Sequence, residues 1–189
     1  DGIELQQPND LAFGPDGRLY FTDPGFFDME AEPDIGRIFA LDPDGSGELV
    51  AEAGTTYPNG IVVEPDGSLV WAESYPRRLM RLRAGGEPEP PPTLSRPDAV
   101  PDGMSIGADG IFYVAALFAG GIDVIGPDGS QRGVLEVGAI NSNCTISGDA
   151  LYISDFGVDP IEQMDSPGGV LWRVVLDEPG LEPYRGQLD

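Results

Sequence analysis

Three oxygen-bearing side chains recur at one place in a repeating pattern: Asn9 in "PNDLAF", Asn59 in "PNGIVV" and Asp102 in "PDGMSI". They stand 50 and 43 residues apart. Each opens a short apolar run that ends at an Asp-Gly pair, Asp16-Gly17, Asp66-Gly67 or Asp109-Gly110. Those pairs have an ordinary explanation, because glycine accepts the positive φ that tight hairpins need. The openers lie outside the hairpins. Amide and carboxylate oxygens converging on one point, with no nitrogen or sulfur donor beside them, suit a hard cation such as Ca²⁺. Taken singly, Asn-Gly and Asp-Gly are also favoured turn pairs. The registered set of three favours the ligand reading.

The remaining composition narrows the chemistry further. The 189 residues include no histidine and no lysine, so all ten basic side chains are arginines. A Ser-His-Asp triad, a histidine-ligated metal and a Schiff-base lysine are therefore excluded. With 33 acidic residues the net charge is −23, which repels nucleic acid and anionic membrane surfaces and attracts cations. The single cysteine, Cys144, permits no internal disulfide and reads as an interior strand residue. No run approaches the ~18 apolar residues that span a bilayer, and no basic-plus-apolar leader opens the chain. The expectation is a cytoplasmic protein with no nucleic-acid, membrane or obligate protein partner. Because the chain begins at Asp1, a leader or further structure upstream stays open.

The elements that position the openers are legible as repeats. Each opener is followed by an apolar run (Leu11 to Phe13, Ile61 to Val63, Met104 to Ile106), a turn, and a second run, "LYFTD", "LVWAE" or "FYVAA". A shortened fourth copy, "NCTISGDALYISDF", starts at Asn143. Third runs follow in "RIFAL", "RLMRL", "GIDVI" and "VLWRVV", while helical periodicity is sustained nowhere. Short strands at a period of roughly 40–50 residues predict an all-β chain of antiparallel sheets stacked as β-propeller blades. The blades are expected over about 8–57, 58–100, 101–142 and 143–189, forming a single domain over 1–189. The Pro-rich stretch 85–101 reads as a peripheral connection between the second and third. In such a fold the openers enter the innermost strands beside the central channel.

At these residues the chain resembles the gluconolactonase, regucalcin and luciferin-regenerating enzyme family of six-bladed propellers. The resemblance rests on "PNDLAFGPDGRLYFTDPG", "YPNGIVVEPDGSLVWAES", "PDGMSIGADGIFYVAALFAGGIDVIGPDG" and "GGVLWRVVLDEPGLEPYRG". It implies hydrolysis of a sugar lactone or similar cyclic ester with one divalent cation, Ca²⁺ first and Zn²⁺, Mg²⁺ or Mn²⁺ as alternatives. Carried over by position, Asn9, Asn59 and Asp102 would hold the metal, and Asp102 would also be the general base. Asn9 and Asp23 would contact the lactone, with a strand-end structural role for Asp23 equally open. A further glutamate ligand of the family precedes anything matched here, and Glu4 is out of register for it. Four repeats against six imply the C-terminal portion of such a propeller, its N-terminal blades missing and its metal site incomplete. A non-catalytic binding platform and a phosphotriesterase-type hydrolase on the same fold are the alternatives.

Overall fold

The structure is a computed structural model describing residues 2–30, 33–90, 96, 98–157, 168–177, 180–181 and 184–185. Among these the chain is all-β, in four antiparallel sheets. It forms two compact units, Asp1–Pro91 with Pro183–Asp189, and Pro92–Glu182.

The first unit carries two sheets. One joins β1 (Leu11–Phe13), β2 (Leu19–Asp23), β3 (Gly36–Leu41) and β4 (Gly47–Gly54) in sequence order. The other joins β5 (Pro58–Val63), β6 (Leu69–Glu73) and β7 (Arg78–Leu82). Tyr20, Ile38, Ile61, Val63, Leu69, Trp71 and Met80 form its core. Strands β5 and β6 are buried along their whole length, as the unbroken apolar runs "GIVV" and "LVWA" require.

The second unit repeats the plan with β8 (Val100–Ile106), β9 (Phe112–Leu117), β10 (Ile122–Ile125) and β11 (Gln131–Leu135) in one sheet. Its other sheet holds β12 (Asn141–Ser147), β13 (Ala150–Asp155) and β14 (Val170–Val175). Tyr113, Ala115, Ile122, Cys144, Ile146, Leu151 and Ile153 pack together between them. Cys144 is buried, with its thiol donating to the Tyr113 carbonyl at 3.2 Å. Of the Pro-rich connection, residues 91–95 and 97 lie outside the described residues.

The Asp-Gly pairs are hairpins of one construction. Gly17, Gly67 and Gly110 have φ of 82°, 85° and 79°, a region open to glycine without a Cβ penalty. In each hairpin the aspartate Oδ1 accepts the backbone N–H two residues on: Arg18 at 3.1 Å, Ser68 at 2.9 Å and Ile111 at 3.0 Å. Asp44 and Asp128 do the same for Ser46 and Ser130. These side chains are committed to the turn.

The first strand of each of the last three sheets is irregular where its opener lies. The register slips between Pro58 and Ile61, between Pro101 and Met104, and between Asn141 and Asn143. The slip inserts one extra residue and re-aims the side chain there, which is the usual effect of a β-bulge. Because Pro58 faces Glu73 and Asn141 faces Asp155, Ser142 holds the place in the fourth sheet that Asn59 holds in the second. Asn143 stands one residue further along, with its amide packed against Gly103.

Candidate functional site

Asn59 is 5% exposed, and its Nδ2 donates to Ser74 Oγ at 3.2 Å. That bond turns the amide so that Oδ1 is buried without a hydrogen-bond partner. A buried acceptor left unmet costs about 1–3 kcal/mol. It is suited to a cation or a donor that is not part of the chain.

The backbone around Asn59 is fixed by Thr22, which is fully buried at the end of β2. Thr22 Oγ1 donates to the Asn59 carbonyl at 2.8 Å and accepts the Asp10 N–H at 3.1 Å. The Thr22 carbonyl accepts the Asn9 N–H at 2.9 Å. One buried residue thus ties the entry of the first sheet to that of the second, bringing Asn9 and Asn59 to the same end of the unit. Asn9 is exposed there. Asp10 completes the tie, its Oδ2 accepting the Ile61 N–H at 3.3 Å. Burial pushes the Asp10 carboxyl above its ordinary range, opposed by the N–H groups of Leu11 and Ile61.

Asp23 belongs to the same end but is wholly buried. Its Oδ1 accepts the Gln7 N–H at 2.7 Å and its Oδ2 the Gln6 N–H at 2.9 Å. These donors lie three and two residues before Asn9. Asp155 does the same in the fourth sheet, accepting the N–H groups of Ala139 and Ile140, three and two residues before Ser142. The repetition marks a strut that shapes the approach to Asn9 and to Ser142.

In the second unit, Asp102 sits half-buried in the bulge of β8. The turn leading into β8 is braced by Arg96, whose Nε donates to the buried Asp123 at 2.7 Å and whose Nη2 donates to the Gly120 carbonyl at 2.8 Å. Among the described residues no three acidic or thiol side chains cluster as a metal cage.

The model of the SMP-30/gluconolactonase/LRE-like region matches residues 1–155. The chain belongs to that family. A gluconolactonase of Zymomonas mobilis is 32% identical over 177 residues, covering 81% of this chain and 49% of that protein. The solved gluconolactonase of Xanthomonas campestris is 25% identical, with a TM-score of 0.73 over 93% of this chain and 58% of its own. A calcium-binding regucalcin from Agrobacterium tumefaciens, 23% identical, superposes at 0.76 over 96% of this chain and 64% of its own. A luciferin-regenerating enzyme, 19% identical, superposes at 0.82 over 99% and 67%. The chain therefore spans about half the length of the Zymomonas protein and about two thirds or less of these structures. These neighbours are lactonase-type six-bladed propellers, and the four sheets are blades of that fold.

For a member of this family, the supporting residues are the part that sequence motifs conceal. Thr22 and Ser74 are small polar residues at or just beyond the end of a second strand, and nothing in "YFTDP" or "WAESY" marks them as supports. The one available signal is a polar residue that strand alternation points inward. Ser142 is hidden for another reason, because a bulge changes the register by one residue without leaving a trace in the letters.

Proposed function

We propose that the protein carrying this chain hydrolyses a sugar lactone or similar cyclic ester with the help of one divalent cation, Ca²⁺ first. The observation that carries the reading is the buried, partnerless Oδ1 of Asn59 at a position that Asn9 and Asp102 occupy in their own repeats. Family membership supports the lactone, and the oxygen-only donor set supports a hard cation. When bound, the cation supplies Lewis-acid polarisation of the lactone carbonyl and a lowered pKa for a nearby water.

The chain's own residues divide the remaining work. Asn59 presents Oδ1, oriented by Ser74 and held in place through Thr22. Asn9 and Asp102 complete its part of the ligand set. Asp102 also accepts a proton from the attacking water as the new carbon–oxygen bond forms. The ring carbon–oxygen bond then breaks, and the departing alkoxide takes up a proton to give the open hydroxy acid. Asp23 acts through the backbone of Gln6 and Gln7, shaping the segment that delivers Asn9.

The test is hydrolysis of δ-lactones followed by proton release, with Ca²⁺ and with chelator. The expected result is turnover that chelation abolishes and Ca²⁺ restores. Calcium binding without hydrolysis of any lactone would leave the fold as a binding platform.

A further inference from the structure

Ser74 orients the Asn59 amide, and Ser74 is itself placed by an unusual stretch of backbone. Its N–H donates to the Tyr57 carbonyl at 3.1 Å, and the next N–H, that of Tyr75, donates to the Thr56 carbonyl at 3.2 Å. Tyr57 has φ of 55°. That left-handed conformation is an outlier for a bulky residue, and the proline that follows favours extended backbone instead. Such a residue persists only where its surroundings over-determine it.

The surroundings are rings. Phe27, from the connection between β2 and β3, packs on Tyr57 with ring centres 4.9 Å apart and on Tyr75 at 5.6 Å, while Tyr57 and Tyr75 are 5.5 Å apart. Tyr57 is left 8% exposed. The connection is fastened to this cluster through its backbone, since the Tyr75 hydroxyl accepts the Asp28 N–H at 3.0 Å and donates to the Asp28 carbonyl at 3.1 Å. Asp34 accepts the Phe26 N–H at 3.0 Å, and the chain enters β3 at Gly36, where a Cβ would strike the Pro58 ring.

We infer that Phe27, Tyr57 and Tyr75 are positioning residues for Asn59: their ring cluster holds the Tyr57 backbone, which places Ser74 and thereby aims Asn59 Oδ1 at a cation. The inference rests on the reading of Asn59 as a cation ligand. When the restraint on a strained residue is lost, the binding arrangement becomes a minor one, and apparent affinity falls in proportion. The strain of left-handed residues sets that fall at about five- to a hundredfold. By reciprocity, bound Ca²⁺ steadies the cluster by the same factor.

The experiment titrates Ca²⁺ by calorimetry into the protein carrying this chain and into its variants. Phe27→Ala weakens Ca²⁺ binding by about five- to a hundredfold, while its lactone turnover at saturating Ca²⁺ is unchanged. Tyr75→Phe, which keeps the ring and loses only the hydroxyl that holds Asp28, weakens binding by about three- to tenfold. In Tyr57→Gly the backbone adopts the left-handed conformation without a Cβ, so adding Phe27→Ala costs no further affinity. Phe39→Leu, which breaks up the stacked Phe21 and Phe39 rings 5.4 Å apart elsewhere in the first unit, lowers thermal stability and leaves Ca²⁺ affinity unchanged. Amide exchange at Asp28, measured without substrate, slows when Ca²⁺ is added to the unmodified protein.

Lower thermal stability in Phe27→Ala and Tyr75→Phe with unchanged Ca²⁺ affinity shows the cluster to be packing alone and overturns the inference. So does an affinity loss on Phe27→Ala that is as large in the Tyr57→Gly background as in the unmodified protein, or exchange at Asp28 that Ca²⁺ leaves unaltered. If the unmodified protein takes up no Ca²⁺, the cation reading of Asn59 falls and the positioning with it. Affinities that follow the expected pattern without hydrolysis of any lactone uphold the positioning and overturn the lactonase reading.

Discussion

The hydroxyl of Thr22 donates to the carbonyl of Asn59 at 2.8 Å, across two sheets and inside the core of the first unit. The same oxygen accepts the Asp10 N–H, so the hydroxyl meets a need on each side. Thr22→Val keeps the shape and removes both bonds. Leaving buried backbone groups unmet costs about 1–3 kcal/mol, and Thr22→Ser restores most of it. Urea unfolding of the three proteins measures the difference. Equal midpoints for the valine and threonine proteins would show that the tie contributes nothing.

The hairpin aspartates make a contrasting case. Asp16, Asp66 and Asp109 each hold their own turn through Oδ1, an acceptor that asparagine also possesses. Replacing any one by Asn changes stability by no more than about 0.5 kcal/mol and leaves lactone turnover within twofold. A large loss of turnover in a folded Asp109→Asn protein would mean that the two classes of aspartate had been assigned the wrong way round.

The difference between these cases explains what the sequence reveals. A hairpin is specified by adjacent residues, so Asp66, Gly67 and the Ser68 N–H they serve are legible as letters. The three-run pattern is legible for the same reason, and β1, β6, β7 and β14 fall on the expected segments. The role of Thr22 depends on a residue 37 positions away. The packing of Phe27 depends on Tyr57 and Tyr75, 30 and 48 residues away, and the place of Ser142 depends on a bulge. Each is a property of packing or register, and one sequence carries neither.

Acid stability separates two carboxylates. Burial alone would raise the Asp155 carboxyl, but Trp172 Nε1 and the N–H groups of Gly157, Ile140 and Ala139 outweigh it and hold the group below its ordinary value of 3.8. Its contribution is present above that value and is lost as pH falls through the lower folded value. Asp10 has the opposite sign, since burial first raises it; its contribution is greatest below 3.8 and disappears as pH rises through the higher folded value. Asp155→Asn therefore flattens the loss of stability on acidification, and Asp10→Asn steepens it. Unfolding midpoints measured below about pH 5 check both slopes.

The final pair of variants separates holding the cation from moving the proton. Asn59→Ala removes the buried Oδ1 and nothing that exchanges protons, so Ca²⁺ affinity falls and excess Ca²⁺ recovers part of the lactone turnover. Asp102→Asn keeps one oxygen in the bulge of β8 but removes the negative charge and the proton acceptor. Its Ca²⁺ affinity weakens, and its turnover falls by a further ~10²–10⁴-fold that added Ca²⁺ does not recover, as expected when a general base is lost. Calorimetry reads the affinities, and turnover at saturating Ca²⁺ reads the chemistry. Full recovery of Asp102→Asn by metal would make Asp102 a ligand alone. The base would then have to come from another carboxylate. Asp23, with both oxygens on the Gln6 and Gln7 N–H groups, would first have to give up those bonds.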